Sequence, residues 1–322
     1  MKNTICDVPG LKVGQASDAK AKTGVTVVLP DARAVAAVDV RGGGPGTRET
    51  DALRLVGLVD EVDAIVLAGG SVYGLGAADR VCAELGARGR GFSLLPMEGV
   101  PVSPIVPAAI LYDLSNRGDK AWGTVPPYGE LGAEALNAAG EEVAEGPVGA
   151  ATGASAGAYP GGEGTASATL PGGGIVGAIV AVNSFGSPYA PGTNQFWAAP
   201  WEVDAEFGGR GVASSSGHQG FPPDTKIGAG ERSNTTIAVV ATDVALTKAQ
   251  AERVAVMAQT GMARALRPAH APTDGDTVFV LSTGKRPLEG NGTLALTVLG
   301  GVAADVLARS IARGVFAAEK NQ

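Results

Sequence analysis

The sequence predicts a mixed α/β or α+β chain in which sheets are covered by helices. Three observations carry that prediction. Apolar runs of strand length, rich in β-branched residues, recur at residues 24–29, 34–40, 64–68, 175–183, 235–242 and 277–281. Longer stretches with one apolar face alternate with them, as in residues 72–86, where Leu75, Ala78, Val81, Cys82 and Leu85 fall on one side of a helix. The 49 glycines in 322 residues suit tight packing of strands, turns and helices around small side chains.

Taken in order, a Pro9-Gly10 turn precedes the first two strands. The glycine cluster Gly42-Gly43-Gly44-Pro45-Gly46 ends the second of them. The strand at 64–68 runs into Gly69-Gly70-Ser71 and the helix at 72–86. Residues 105–113 read as an extended apolar stretch and 130–139 as a short helix. Residues 146–174, mostly Gly, Ala, Ser and Thr, read as a loop before the strand at 175–183. Residues 184–233 show no regular period and hold Phe185, Tyr189, Phe196, Trp197, Trp201, Phe207 and Phe221 among prolines and glycines. A structureless stretch of that length is expected to be functional or mobile. After the strand at 235–242, the capping box Thr247-Lys248-Ala249-Gln250 opens a helix to about Leu266. A strand at 277–281 and a helix over 294–318, with Val298, Leu299, Val302 and Val306 on one side, complete the chain. No internal repeat is found.

Composition excludes several function classes. Hydrophobic residues make up 45%, enough for a sizeable core, and the length fits one large domain or two small ones. A net charge of −7 without any Lys/Arg block argues against nucleic acid. Cys6 and Cys82 form neither a metal spacing nor a disulfide framework and are read as free thiols of a reducing compartment. With no apolar segment after Met1 and no run judged long enough to span a bilayer, a cytoplasmic, membrane-free protein is expected.

Three motifs are decoys. The cluster at Gly42–Gly46 lacks G-x-G-x-x-G spacing and a following helix, so a tight turn or a close backbone approach accounts for it. Gly153-Ala154-Ser155-Ala156-Gly157 matches a nucleophile elbow, with His270 as its only reasonable base, but lacks a strong strand before it and a helix after it. Asn234-Thr235-Thr236 satisfies a glycosylation sequon without a secretory signal to support it.

Thr235 offers different chemistry. A threonine hydroxyl needs a base, and the chain has only His218 and His270. Cutting the bond before Thr235 would give it a free α-amine of pKa about 7.7–8.0, held beside its own hydroxyl. Locally, a turn feeding a strand explains the same residues. Downstream, Asp274 and Asp276, two apart at the start of a strand, can share a proton or hold an ammonium and a hydroxyl. A D-G turn is the simpler account of that pair, and a calcium loop lacks its remaining ligands.

At the level of the whole chain the sequence resembles the L-aminopeptidase/D-esterase, β-peptidyl aminopeptidase and nylon-oligomer hydrolase family of self-processing hydrolases. The resemblance is carried, in order, by residues 7–16 (DVPGLKVGQA), 38–51 (VDVRGGGPGTRETD), 67–75 (LAGGSVYGL) and 104–110 (PIVPAAI). It implies a four-layer αββα sandwich like that of N-terminal-nucleophile hydrolases but differently connected. It further implies one domain cleaved into residues 1–234 and 235–322, with 184–233 as a mobile segment before the cut. Asn234-Thr235 matches the cleavage position and Thr235 the nucleophile, most like the nylon-hydrolase branch. Asp274 and Asp276 match the two orienting side chains, Asn183 the oxyanion-binding asparagine, and Tyr112 the active-site tyrosine. Ala158 departs from the lysine often found there, which bears on substrate class.

The implied activity is self-activated hydrolysis of amide or peptide bonds, as an aminopeptidase of broad or unusual specificity toward β-peptides, D-residue esters or oligoamides, without metal or organic cofactor. An acyltransferase and an inactive scaffold are the alternatives. The expected partners are a small peptide or amide substrate, the chain's own cleaved half and further copies in a homo-oligomer, with neither nucleic acid nor membrane.

Overall fold

The structure, a computed structural model, describes residues 1–214, 223–229 and 234–321. Three long strands come first: β1 (Leu11–Asp18), β2 (Thr23–Pro30) and β3 (Ala34–Val40). The short β4 (Thr47–Arg48) and β5 (Glu61–Val62) lead to β6 (Ile65–Ala68), helix α1 (Gly76–Ala87), β7 (Ala108–Ile110) and helix α2 (Tyr128–Asn137). A two-stranded hairpin, β8 (Ser155–Ala156) with β9 (Tyr159–Pro160), precedes β10 (Gly162–Thr169) and β11 (Ile175–Asn183). The one-turn α3 (Lys226–Ala229) is followed by β12 (Thr235–Val244), α4 (Lys248–Ala265), β13 (Thr277–Arg286) and α5 (Gly292–Lys320).

The strands form two main sheets. The first has the order β1-β2-β6-β7-β4 and the second β10-β11-β12-β13-β3-β5. Alternation along each strand divides the core into layers. On β12, Ile237, Val239 and Ala241 face the first sheet and meet Val28, Ile65 and Leu67, with Phe279 and Leu281 of β13 beside them. Ala238 and Val240 point the other way, toward Val254, Ala258 and Met262 of α4 and Val306, Leu307 and Ile311 of α5. The outer face of the first sheet, Val25, Val27 and Val66, packs on Val81 and Leu85 of α1 and Leu131 and Leu136 of α2. The result is the four-layer αββα arrangement that the resemblance implied. Fully burying each such Val, Ile or Leu side chain is worth about 1.5–3 kcal/mol, so the three interfaces supply most of the drive to fold.

One segment differs from the sequence prediction. Residues 146–174 are not simply loop: they contain β10, which pairs along its length with β11. Its small residues are required by α5, whose backbone lies so close that a Cβ on Gly164 would sit 2.1 Å from Ser310 O. An apolar pattern is absent because the helix approaches this face closely and the other face carries the polar Glu163, Thr165 and Ser167. The described part of 184–233 is irregular and packed on the core. Tyr189, Phe196 and Phe207 are buried, their ring centroids 4.5 Å (Tyr189–Phe196) and 5.3 Å (Phe196–Phe207) apart. Aromatic side chains thus tie this segment to the core without periodic structure. His218 lies outside the described residues.

Helix α5 also departs from the reading that no run is long enough to span a bilayer. Its most apolar 18-residue window has a mean hydropathy of 1.6, and 56% of that window is buried inside the protein. The helix packs on β10, β11 and α4, and its Arg309 and Arg313 both pair with the buried Glu206.

Candidate active site

The site is assembled by strand register. In the antiparallel ladder between β11 and β12, Asn183 lies directly opposite Thr235. In the parallel ladder between β12 and β13, Ile237 pairs with Thr277, so residues 274–276 run alongside 234–236. Three segments far apart in sequence therefore end side by side at one edge of the second sheet.

Thr235 begins β12 and is only 3% exposed. Its hydroxyl donates to the carbonyl oxygen of Asn234. Asn234 is buried too and donates from Nδ2 to Thr273 Oγ1 at 2.9 Å, while its Oδ1 has no described partner. Gly275 presses against the hydroxyl: a Cβ there would lie 2.6 Å from Thr235 Oγ1.

The two carboxylates hold backbone rather than the threonine hydroxyl. Asp276 Oδ1 accepts from Thr236 N at 2.8 Å, fixing the peptide just behind Thr235. Its Oδ2 accepts from His270 N at 2.9 Å and lies 2.8 Å from His270 Nδ1. Asp274 Oδ2 accepts from Ala271 N at 2.8 Å and Oδ1 from Phe185 N at 3.2 Å. Burial, then the neighbouring charge of Asp276, push the Asp274 carboxyl up to about 7, with the two backbone donors and Lys226 acting in the opposite sense.

The glycine cluster explains why this loop sits where it does. Arg41 N and Gly42 N donate to Asp276 O at 2.9 and 3.3 Å, and Gly44 N donates to Asp274 O at 2.7 Å. A Cβ on Gly42 would meet Asp274 O at 2.2 Å. The cluster is a close backbone approach that seats the aspartate loop, not a phosphate cradle.

Asn183 and Tyr112 meet beside Thr235. Asn183 Nδ2 donates to Tyr112 O at 2.9 Å, and its Oδ1 accepts from Ser155 N at 3.0 Å and Lys226 Nζ at 3.0 Å. Tyr112 thus enters through its backbone carbonyl, while its partly exposed side chain lines a cleft of about 280 Å³ with Ser115, Asn116, Ala158, Tyr159 and Asn183. Thr235 does not line that cleft; Asn183 links the two. A more apolar cavity of about 290 Å³ lies at the far end of the second sheet, between the end of β13 and the start of α5. It holds none of Thr235, Asp274, Asp276 or Asn183, whereas the cleft beside Tyr112 holds Asn183.

The structure therefore gathers Thr235, Asn234, Asp274, Asp276 and Asn183 and brings Tyr112 to their rim. Two neighbours were not foreseen. His270 is held by Asp276, and the Ser155 segment is a hairpin with no helix after it. Lys226, 1% exposed, enters the site from the segment before β12. As the one Lys or Arg between Arg210 and Arg232, it carried only a faint sequence signal.

Comparison with known proteins agrees with this architecture. The family model for "Peptidase family S58" matches residues 3–322. An uncharacterized aminopeptidase of Mycobacterium tuberculosis (strain H37Rv) is 44% identical over 98% of this chain and 94% of its own. A 6-aminohexanoate-oligomer endohydrolase of Kocuria sp. (strain KY2) is 32% identical over 94% of this chain and 82% of its own. Among solved structures, an L-aminopeptidase D-Ala-esterase/amidase from Ochrobactrum anthropi, described as a variant of the Ntn hydrolase fold, superposes with a TM-score of 0.72 at 21% identity. That match covers 98% of this chain and 86% of the other. A Burkholderia sp. beta-aminopeptidase gives 0.69 at 23% identity with the same coverage, and these two show the fold alone. The chain belongs to peptidase family S58, and with it to the hydrolases of peptide and other amide bonds.

Proposed function

We propose that the chain is a self-processing hydrolase whose nucleophile is the N-terminal threonine released when the Asn234–Thr235 bond is cut. One observation carries this reading: Thr235 starts a core strand opposite Asn183, with Gly275 of the aspartate loop packed on its hydroxyl. In the uncut chain the Thr235 oxygen attacks the Asn234 carbonyl carbon. The acyl group moves from nitrogen to oxygen, the freed nitrogen takes the hydroxyl proton, and water hydrolyses the ester. Asn234 keeps the new carboxylate and Thr235 the new α-amine.

That amine, of pKa about 7.7–8.0, then serves as the base in turnover. It takes the hydroxyl proton as the oxygen attacks the substrate amide, and passes it to the leaving amine. Water hydrolyses the remaining acyl-enzyme. The Asn183 carboxamide donates to the oxyanion. Asp276 holds the Thr236 peptide, and hence the amine and hydroxyl of Thr235, in place. The relatives' names, together with the small cleft around Tyr112 and Tyr159, point to short aminoacyl amides, including unusual or oligomeric ones. Across the cut, Glu206 pairs with Arg309 at 2.5 Å, which suits two fragments that stay together.

The test compares wild type with Thr235→Ala and Thr235→Ser on aminoacyl p-nitroanilides and short amide oligomers. Thr235→Ala is expected to abolish hydrolysis and Thr235→Ser to retain part of it. Hydrolysis by Thr235→Ala at the wild-type rate would contradict the proposal.

A further inference from the structure

We propose that Lys226 is a positioning residue of this active site, locking the Asn183 carboxamide in one orientation from the segment that precedes the cut. The inference rests on the reading of Asn183 as the oxyanion donor.

The argument is one of donors and acceptors. A carboxamide can be turned over, exchanging its oxygen and its NH2, unless its neighbours forbid it. Here the Asn183 oxygen faces two groups that only donate, the Lys226 ammonium and Ser155 N, each at 3.0 Å. Its nitrogen faces an acceptor, Tyr112 O, at 2.9 Å. Turned over, the NH2 would meet two donors and the oxygen a carbonyl. Of the two donors, the ammonium is charged and the stronger. It also donates to Asn183 O at 3.1 Å, so it grips both the side chain and the backbone at the end of β11.

An ammonium of 1% exposure is expensive unless it is well partnered. Its location is therefore a built feature, and the segment that carries it is hooked down. Asp224 Oδ2 accepts from Ser187 Oγ at 2.6 Å and from Tyr159 OH at 3.2 Å. Asp224 O accepts from Ala158 N at 2.9 Å, and Lys226 N donates to Phe185 O at 3.2 Å. Residues 224–226 are stitched to the rim of the cleft by contacts that do not depend on the Asn234–Thr235 bond. After the cut, the end of the first fragment stays in the site and keeps its lysine there. The cation beside Asn183 comes from this hooked segment.

The test measures kcat, KM and the pH profile of wild type, Lys226→Met, Lys226→Arg and Thr235→Ala on an aminoacyl p-nitroanilide, with thermal unfolding in parallel. Lys226→Met keeps the buried stem and removes the charge. It is expected to lower kcat by about 100-fold, the scale of a misdirected oxyanion donor, with KM little changed. The acid limb of kcat/KM should move to higher pH. Asp274 faces Asp276, with His270 behind it, and Lys226; the ammonium favours its charged form together with Ala271 N and Phe185 N, so losing the ammonium leaves the carboxyl harder to ionise. Lys226→Arg should recover part of kcat. Wild-type kcat and pH profile in Lys226→Met, with Thr235→Ala inactive, would overturn the proposal while leaving the nucleophile in place. An active Thr235→Ala would remove the reading beneath it and the proposal too. Should Lys226→Met fail to fold, Asp224→Ala loosens the hook from outside the site. Reduced kcat in folded Asp224→Ala supports the proposal and unchanged kcat overturns it.

Discussion

Adding a single methyl group at Gly275 probes the site without removing any functional group. An alanine Cβ there would stand 2.6 Å from Thr235 Oγ1, 3.0 Å from Gly44 O and 3.1 Å from Thr235 Cγ2. Ordinary contact begins at 3.4 Å, so the hydroxyl and the loop must separate by about 0.8 Å. Gly44 lies behind the loop and is tied to Asp274 O, which leaves Thr235 as the partner that moves. A displacement near 1 Å in a reacting group costs on the order of 100-fold in rate. Overpacking costs about 1–3 kcal/mol of stability, roughly a few degrees in Tm. Disappearance of the full-length chain on denaturing gels reports the first, together with kcat on an anilide. Calorimetry reports the second. Gly129→Ala on α2 is the control, since nothing lies within 4 Å of its Cβ. It should leave both rates intact and stabilise slightly. If Gly275→Ala cuts and turns over at wild-type rates, Thr235 is not held in the chemistry by this loop.

Two further predictions concern stability. Glu163 is fully buried between the sheets, bonded to Thr26 Oγ1 and Gln15 Nε2, and burial pushes its carboxyl up to about 7. The folded state therefore holds a proton that the unfolded chain releases near pH 4.3, and stability from this group falls as pH rises from about 4.3 to 7. Glu163→Gln should gain Tm relative to wild type at pH 8 and little at pH 4; a difference that does not vary with pH would refute this. Glu206, buried against Arg309 and Arg313, joins residues on opposite sides of the proposed cut. Glu206→Ala should lose about 3–5 kcal/mol, and the two fragments should separate at lower denaturant; an unchanged midpoint would refute the role.

What was legible in the sequence follows from physical periodicity. Strands β11 to β13 and helices α4 and α5 showed themselves through β-branched runs and apolar faces. Strand β10 did not: the face against α5 carries Gly162, Gly164 and Ala166, which the helix approaches closely, and the other carries the polar Glu163, Thr165 and Ser167, so neither face reads as an apolar run. Residues 184–214 anchor themselves by isolated aromatics, which have no period to read. In the site, Thr235 and the aspartate pair were visible as residue types, but their meeting is a product of β12–β13 register. Asn183 opposite Thr235 is likewise a product of the β11–β12 ladder. Lys226 and His270 had no spacing to betray them; each reaches the site along a segment whose course only tertiary packing determines.

The central claim, that Thr235 becomes an N-terminus, is tested most directly by intact-mass measurement of the purified chain beside its Thr235→Ala variant. The wild type should give two species, residues 1–234 and residues 235–322 beginning with a free threonine amine, and the variant one uncut chain. A single full-length wild-type chain that hydrolyses amides at full rate would contradict the account.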